Sequence, residues 1–458
     1  MYIYRGEITE DSMKKILALV GAILATTFML CTPLTAQADV VTGSITVMAG
    51  PDSMALSANG SRLFVANYNA NTVSVVDTTS SALITSIPVG TNPWGLVMSP
   101  DGSKLYVSNY GGHSISVIST SGLNVTATIS AIVFPLGVAI SPDGSTLYVS
   151  TNDNGNSKVT VIDTSSNTIS NVVTLGTGLP AGIVVSPDGS RIYVADVTAD
   201  VIYEINSSNF VVTSHASPGG PLWLAFSPDG SKLYVTGSTA NNYKVFNTPT
   251  WSASATVSLP GVNLPNGISL NPAGDRIYVA GQNSNNVSVY KASDNTLIGT
   301  IPVSFGPWGL VVTSSNKVFV SQNSATSVAV IMPATLTASS QSVSTQIGSN
   351  VNLTVTPTNF TPSTAMTYSV SPSLPAGLTI NAATGAISGT PTAAHGSTVY
   401  TITGTNGTWT SSTTVTIAVT DPNLANTGAK NSGLAFAGLA LILSGLAISF
   451  ASAGMKRA

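Results

Sequence analysis

The sequence predicts an all-β protein: a seven-bladed β-propeller, then an immunoglobulin-like β-sandwich, then a C-terminal transmembrane helix. Three observations support this prediction. A short motif recurs about every 42 residues over the first two thirds of the chain, a period typical of propeller blades. A segment of about 85 residues with alternating apolar and polar positions follows without that motif, as strands of a sandwich require. A run of about 20 apolar residues then precedes a basic tail, and this length spans a bilayer.

The first 38 residues are predicted to be a secretory signal peptide. Two lysines at 14–15 precede an apolar run over residues 16–30, and the small residues Ala36 and Ala38 follow. Such a signal has three parts: a basic region, a short apolar region and a cleavage site with small residues on either side of a variable one. The acidic residues ahead of the lysines are unusual in a signal peptide, so we expect translation to start at Met13. The alternative is an uncleaved N-terminal anchor.

The repeat begins with a proline and predicts four short strands in each unit. After the proline comes a strand that ends at Ser-Pro-Asp-Gly, which favours a tight hairpin because glycine accepts positive φ. A Leu-Tyr-Val strand, an alternating strand and an Ile-Pro-Val strand follow, and the proline of the last suits a sheet edge. Because one such sheet cannot bury both faces, the units are expected to stack around a channel. The entry proline recurs at Pro51, Pro93, Pro135, Pro180, Pro221, Pro265 and Pro307.

The N-terminal strand is predicted to close the ring. Ile45 and Val47 stand at the spacing from Pro51 that the last strand of one unit has from the next entry proline. The propeller is therefore assigned to residues 39–332. The repeats over about residues 51–331 resemble the YVTN-type β-propeller family, which is found in many surface proteins.

The second module is predicted over residues 333–422, with about seven strands. Its segments Leu-Pro-Ala-Gly-Leu-Thr-Ile at 374–380 and Thr-Gly-Ala-Ile-Ser-Gly-Thr-Pro at 384–391 resemble the haemagglutinin-type putative-Ig family, which is cadherin-like. Some cadherin-like relatives bind calcium, but Asp421 is the only acidic residue after Asp294, so a hard-cation site is not expected here. The expected role of this module is that of a rigid spacer.

The last segment, residues 423–458, resembles a sortase sorting signal. A pentapeptide precedes the apolar run over residues 434–453 and a Lys-Arg tail, which should stay cytoplasmic. In that family a transpeptidase thiol cuts between Thr and Gly and joins the Thr carboxyl to peptidoglycan. Alanine stands where the usual motif has proline, as in the variant of the class E sortases of actinobacteria. The alternative is a plain transmembrane anchor. The motif is Leu424, Ala425, Asn426, Thr427 and Gly428.

Composition argues against several classes of function. Residues 39–428 carry 9 Lys/Arg against 15 Asp/Glu, and this acidity argues against nucleic acid as a partner. The single cysteine, Cys31, lies in the predicted signal peptide. The three histidines are far apart in the sequence and are expected in exposed loops or near strand ends: His113, His215 and His395. No metal site, cofactor or catalytic residue is therefore predicted. The repeated aspartates after Ser-Pro are expected to form turns.

A ligand site is predicted at one mouth of the channel. The residue after each entry proline should form a ring there, and Asp52, Trp94 and Trp308 stand out in it because they come from the first, second and seventh units, which are neighbours in a closed ring. The hairpins of the first two units add Tyr68 and Tyr110. Aromatic faces with a few polar groups suit sugars or extended peptides. The alternative is that the tryptophans plug the channel.

These features together predict a wall-anchored, non-catalytic binding or adhesion protein of a Gram-positive cell. Its expected partners are sortase, peptidoglycan and a glycan or peptide ligand, and its precursor should cross the membrane once at the C terminus. Two alternatives remain open at this point: a secreted lactonase-like or hydrolase-like propeller enzyme, and a purely structural component of the wall.

Overall fold

The computed structural model describes residues 39–422 except 218, 249, 334, 359–365 and 406–409. The predicted cleavage site at Ala36 and Ala38, the sorting motif at 424–428 and the predicted transmembrane segment at 434–453 lie outside the described residues. The part of the chain that is described holds no helix long and apolar enough to cross a bilayer.

The first strand, β1 (Asp39–Thr46), belongs to the last sheet of the N-terminal region, and three four-stranded antiparallel sheets follow it along the chain. Each is a meander in sequence order, which the short hairpins permit. Sheet 1 contains β2 (Pro51–Leu56), β3 (Arg62–Asn67), β4 (Thr72–Asp77) and β5 (Leu83–Pro88); sheet 2 contains β6 (Pro93–Met98), β7 (Lys104–Asn109), β8 (Ser114–Ser119) and β9 (Asn124–Ser130); sheet 3 contains β10 (Pro135–Ile140), β11 (Thr146–Asp153), β12 (Asn156–Asp163) and β13 (Thr168–Thr177).

Four further sheets of the same kind complete the region, and the seventh recruits β1 as its fourth strand. Sheet 4 contains β14 (Pro180–Val185), β15 (Arg191–Asp196), β16 (Val201–Asn206) and β17 (Val212–Ala216); sheet 5 contains β18 (Pro221–Phe226), β19 (Lys232–Gly237), β20 (Asn242–Asn247) and β21 (Ser252–Ser258); sheet 6 contains β22 (Pro265–Leu270), β23 (Arg276–Gly281), β24 (Asn286–Lys291) and β25 (Leu297–Pro302); sheet 7 contains β26 (Pro307–Val312), β27 (Val318–Gln322), β28 (Ser327–Pro333) and β1.

The seven sheets of residues 39–333 form a closed, propeller-like ring. The first strand of each sheet contacts the first strand of the next, and β26 contacts β2, so the cycle has no open end. A buried apolar cluster lies between each neighbouring pair of sheets; between sheets 7 and 1, for example, Phe319, Ile45 and Val65 pack together. Neighbouring sheets thus bury each other's faces, which is why no single unit needs a core of its own.

Strand β1 closes the ring from the N terminus. It pairs antiparallel with β28 from Asp39 opposite Pro333 to Thr46 opposite Ser327, and Ile45 lies opposite Val328. Ile45 and Val47 are both buried. The closure that the spacing of these two residues predicts is therefore present.

A repeated contact joins the innermost strands and explains the Pro-x-Gly entry. A Cβ on Gly309 would lie 2.8 Å from the carbonyl oxygen of Asp52 in the next sheet, so only glycine allows the two backbones to approach this closely. The hydroxyl of Ser321 accepts a hydrogen bond from the N–H of Gly309 and donates one to the same Asp52 carbonyl. Equivalent hydroxyls join three other pairs of sheets: Ser108, Ser150 and Thr236.

The repeated aspartates form turns, as predicted. Asp101 accepts hydrogen bonds from the hydroxyl of Ser99 at 2.6 Å and from the backbone N–H of Ser103 at 3.0 Å. These bonds lower the pKa of Asp101 to about 2. Asp143, Asp188 and Asp229 make the same contacts.

The C-terminal module is an all-β, immunoglobulin-like unit with nine described strands, where the sequence pattern predicts about seven. One of the extra strands arises because a break at Thr354 separates β31 from β32, and these two strands join different sheets. Buried Leu353, Ile387, Tyr400 and Ile417 form its core. The strands are β29 (Thr335–Ala338), β30 (Ser342–Gln346), β31 (Val351–Leu353), β32 (Val355–Thr358), β33 (Thr367–Ser371), β34 (Leu378–Ile380), β35 (Ile387–Gly389), β36 (His395–Thr405) and β37 (Thr410–Thr420), in sheets β30-β37-β36-β33, β31-β35-β34 and β29-β32.

The two motifs that suggested this module contact each other through their glycines. Gly377 and Gly389 adopt φ of +91° and +131°, and a Cβ on either would collide with backbone of the other motif. The N–H of Thr390 donates to the carbonyl of Gly377 at 3.0 Å. Both positions therefore require glycine.

Candidate functional site

One mouth of the ring is built from two circles of residues. The first consists of the residues after the entry prolines, and the second of residues at or just beyond the end of each second strand. In all seven sheets the N–H of the second-circle residue donates to the carbonyl of the residue before the entry proline, so each hairpin is tied to the start of its own sheet. The first circle is Asp52, Trp94, Leu136, Ala181, Leu222, Asn266 and Trp308; the second is Tyr68, Tyr110, Asn152, Val197, Ser238, Gln282 and Asn323.

The structure brings all five predicted site residues together around one cavity of about 410 Å³. This volume lies in the range of small-ligand sites, about 300–1,000 Å³. The grouping follows from ring closure, because sheets 7, 1 and 2 are neighbours only when β26 contacts β2. The cavity is lined by Asp52, Tyr68, Trp94, Tyr110 and Trp308, together with Asn69, Leu136, Leu179 and Asn323.

The walls of the cavity are aromatic, and the aromatic surface continues beyond it. The rings of Trp94 and Tyr110 meet edge to face with centroids 6.0 Å apart. The centroid of the Phe134 ring lies 5.2 Å from that of Tyr110 and 4.4 Å from that of His113. Trp94 and Trp308 are half-buried, so neither is sealed in the core. Rings that are partly open to solvent at a cavity can stack on a ligand.

Phe134 extends the aromatic surface beyond the cavity through its contact with Tyr110, and sequence reasoning missed it. It directly precedes Pro135 and has φ of +40°, a conformation that is rare for a bulky residue. The corresponding residue also has positive φ in most other sheets, where it is often glycine or asparagine, as at Gly50 and Asn92. An aromatic residue at that position of the repeat was the available signal.

Asp52 is a buried carboxyl without a compensating charge. Its side chain is 5% exposed, and none of the nine described residues that line the cavity is Lys, Arg or His. Burial raises the pKa of Asp52 well above its ordinary value, and the nearby indole N–H of Trp94 offsets only part of that rise. Burial, with Tyr110 and Asp52 close by, also raises the pKa of Tyr68.

Three polar atoms of this site are buried and lack hydrogen-bond partners: Oδ1 of Asp52, Nε1 of Trp94 and Nε1 of Trp308. Trp94 approaches the Asp52 carboxyl without reaching hydrogen-bond geometry. Buried polar groups are nearly always paired, and an unpaired one costs about 1–3 kcal/mol. Three side chains that line this cavity therefore carry one buried acceptor and two buried donors that have no protein partner.

The remaining candidates for chemistry lie elsewhere. His113 is exposed in the β7–β8 hairpin, and His395 is the first residue of β36 rather than a loop residue. His215 lies in β17, the fourth strand of sheet 4, near which the sequence placed it, but it is only partly exposed where an exposed histidine was expected. Among the described residues no three His, Cys, Asp or Glu side chains come together as metal ligands would.

His215 belongs to a compact cluster between sheets 4 and 5. Glu204 accepts from Arg191 at 2.9 Å and lies 2.9 Å from Nε2 of His215. The His215 ring stacks on Trp251 at 3.9 Å, and Trp251 stacks in turn on Tyr193 at 5.4 Å. Both carboxylate oxygens of Glu204 have protein partners, so this cluster differs from the unpartnered set at the ring mouth.

A second cavity, of about 510 Å³, opens among the turn residues of sheets 1 and 2. It contains one basic and one acidic side chain. Arg62 donates to the carbonyl of Thr120 at 2.8 Å, and Asp101 is held in its turn. Both charged side chains of this cavity thus have hydrogen-bond partners within the protein, whereas Oδ1 of Asp52 in the first cavity has none.

Comparison with known families identifies the second module. Residues 333–420 match the family described as "Putative Ig domain". The immunoglobulin-like module is therefore of the family that its sequence motifs suggested. This match covers less than a fifth of the chain and leaves the ring unassigned.

Comparison with solved structures gives the fold of the ring. The chain resembles hydrazine synthase of Kuenenia stuttgartiensis with a TM-score of 0.58 and 20% identity, over 66% of this chain and 98% of that one. Identity this low shows a shared propeller-like fold, and a shared fold does not carry function. No curated protein matches the sequence.

Proposed function

We propose that this protein is a non-catalytic binding protein of the bacterial surface, in which a seven-bladed propeller of the YVTN type binds its ligand at one mouth of the channel. The cavity between Asp52, Trp94 and Trp308 carries the proposal, because it combines aromatic walls with buried polar atoms that lack partners. Such a cavity suits a ligand with flat or extended apolar surface and a few polar groups. A glycan or an extended peptide has this character.

Replacing both tryptophans by alanine tests the proposal. We expect Trp94→Ala/Trp308→Ala to abolish binding on a glycan and peptide array, since both ligand-facing rings are lost. Because both side chains are half-buried, each change should cost less than the roughly 3–5 kcal/mol of truncating a fully buried aromatic, for which Phe64→Ala is the comparison. Leu222→Ala, at the same position of the repeat in sheet 5, is the matched control and should keep binding.

Two outcomes would contradict the proposal. A wild-type protein that binds nothing on the array would leave the cavity without a function. A double variant that unfolds as readily as Phe64→Ala but still binds would show that the tryptophans are plugs of the channel and the ligand sits elsewhere.

The wall location is the second part of the proposal. It rests on the sorting-signal resemblance of residues 424–428, the apolar run and the basic tail. A class E type sortase would cut after Thr427 and join it to peptidoglycan, while signal peptidase would cut after Ala38. The immunoglobulin-like module would then be the spacer between the wall and the propeller.

Intact-mass analysis of protein released by digesting the wall checks this processing. The expected mass is that of residues 39–427 plus a wall fragment. A C terminus that still carries residues 434–453 would instead indicate a membrane anchor. Substituting Thr427→Ala should abolish release by wall digestion, and Thr420→Ala, at the end of β37, serves as its control.

The enzyme alternative is disfavoured because the described residues within 39–428 offer few acidic and basic side chains that converge on one site. Catalysis needs convergent acids, bases or metal ligands. The single glutamate of residues 39–428, Glu204, is held between Arg191 and His215. Asp52 stands alone as the carboxyl of the cavity. A lactonase-like activity lost in Asp52→Asn would overturn the non-catalytic assignment.

A further inference from the structure

We propose that the group bound against Asp52 is a protonated alkyl amine. This inference rests on the proposed binding function and names the chemistry of its ligand. The Asp52 side chain is 5% exposed, lines the cavity, and has an oxygen with no hydrogen-bond partner. It therefore offers an ammonium group an acceptor that the protein itself leaves unused.

The charge of the site favours a cation over other ligands. A carboxylate is an acceptor only, and a buried carboxylate is stable when it is paired with a positive charge. None of the nine described lining residues is basic. A neutral hydroxyl would fill the hydrogen bond but leave the charge uncompensated, and an anion would be repelled.

The aromatic rings supply the second attraction. Tyr68, Trp94, Tyr110 and Trp308 all line the same cavity as Asp52. Ring faces attract ammonium groups, tryptophan most strongly, by about 0.5–2 kcal/mol. A carboxylate with several rings thus matches both the charge and the alkyl chain of an amine.

Burial raises the pKa of Asp52, so the charged form of this buried carboxyl is disfavoured unless a cation pairs with it. The titratable groups that face it are Tyr68 and Tyr110, from the hairpins of sheets 1 and 2. An ammonium ion that pairs with the carboxylate should therefore lower the pKa of Asp52.

Two sources could present such an amine: a free amine, or a lysine side chain in a peptide. The aromatic row from Trp94 through Tyr110 to Phe134 extends away from the cavity. A peptide could lie along this row with its lysine in the cavity, whereas a free amine would fill the cavity alone. The two sources share one chemistry at Asp52.

Calorimetric titration of the purified protein with n-butylammonium, n-butanol and butyrate tests the inference. Butylammonium is expected to bind at least about 10-fold more tightly than either other compound, since only it forms the ion pair. Asp52→Asn should weaken butylammonium at least about 30-fold. Asp294→Asn removes the same charge at an exposed turn and should change nothing.

A second variant keeps the test decisive if Asp52→Asn folds poorly. Trp94→Leu removes a ring and keeps an apolar side chain, and should weaken butylammonium about 3- to 30-fold with little effect on butanol. A blocked lysine tripeptide that binds more tightly than blocked lysine assigns the source to a peptide. Equal affinities assign it to a free amine.

Butanol binding as tightly as butylammonium, or full butylammonium affinity in Asp52→Asn, would overturn the inference. The array experiment separates this failure from failure of the binding function. A protein that binds array glycans through Trp94 and Trp308 but ignores butylammonium keeps its binding function and loses the amine assignment. A protein that binds neither loses both.

Discussion

Removing residues 39–50 is expected to lower the melting temperature sharply and to cause aggregation. Strand β1 is the outer strand of sheet 7 and pairs with β28 along its length. Its loss leaves β28 as an open edge, which promotes pairing between molecules. Ile45 and Val47 are 2% and 4% exposed, and their burial contributes about 1.5–3 kcal/mol each. Thermal unfolding followed by circular dichroism and light scattering measures both effects.

Point variants on the same segment control for the deletion. Ile45→Ala should cost about 2–5 kcal/mol because it opens a cavity between sheets 7 and 1. Val41→Ala, at a side chain that is 37% exposed, should cost far less. An unchanged melting curve for the shortened protein would refute closure by the N-terminal strand.

Asp39→Ala is expected to cost about 3–5 kcal/mol, because it leaves a buried guanidinium without its counter-ion. Asp39 is 1% exposed and accepts from Arg276 at 2.9 Å and from the hydroxyl of Tyr278 at 2.8 Å. Both partners lie in β23 of sheet 6. The start of β1 is thus fixed to sheet 6 as well as to sheet 7. Urea denaturation measures the loss.

An exposed ion pair provides the comparison. Lys291 and Asp294 are 50% and 45% exposed, and a pair this open to solvent contributes little to stability. The double variant Asp39→Ala/Arg276→Met should recover much of the lost stability, since it removes the unpaired charge. If Asp39→Ala cost no more than Asp294→Ala, the buried pair would have no role in closure.

The regular part of the fold could be read from the sequence because each unit repeats its own turn chemistry. Pro51, Pro93 and their equivalents mark where every innermost strand begins. The Ser-Pro-Asp-Gly turns could be predicted because the aspartate accepts hydrogen bonds from hydroxyl and backbone N–H groups only two residues away. The neighbouring positions of Asp52, Trp94 and Trp308 followed from counting units around a closed ring.

Contacts between distant units could not be read in this way. Asp39 meets Arg276 across 237 positions, and no local pattern pairs them. The hydroxyl of Ser321 donates to the Asp52 carbonyl. Three of the seven sheets have alanine at the position of Ser321, namely Ala66, Ala195 and Ala280. The repeat therefore does not mark this contact between sheets. Phe134 was missed because its backbone adopts a conformation that a bulky residue seldom takes.

The pH dependence of stability, compared between the wild type and Asp52→Asn, tests the central claim most directly: that the ring mouth holds a buried carboxyl without a counter-charge. The pKa of Asp52 is raised in the fold above its ordinary value of 3.8. The folded protein therefore holds this proton more tightly than the unfolded chain does. The resulting stability is complete below pH 3.8 and is lost as the pH rises through the folded-state pKa.

The variant cannot lose this proton, so the difference between the two proteins isolates Asp52 from the turn aspartates, whose pKa values are lowered. We predict that the unfolding free energy of the wild type falls relative to Asp52→Asn as the pH is raised from 3.8, until the folded-state pKa is passed. A difference that stays constant over this range, or that changes in the opposite direction, would contradict the account.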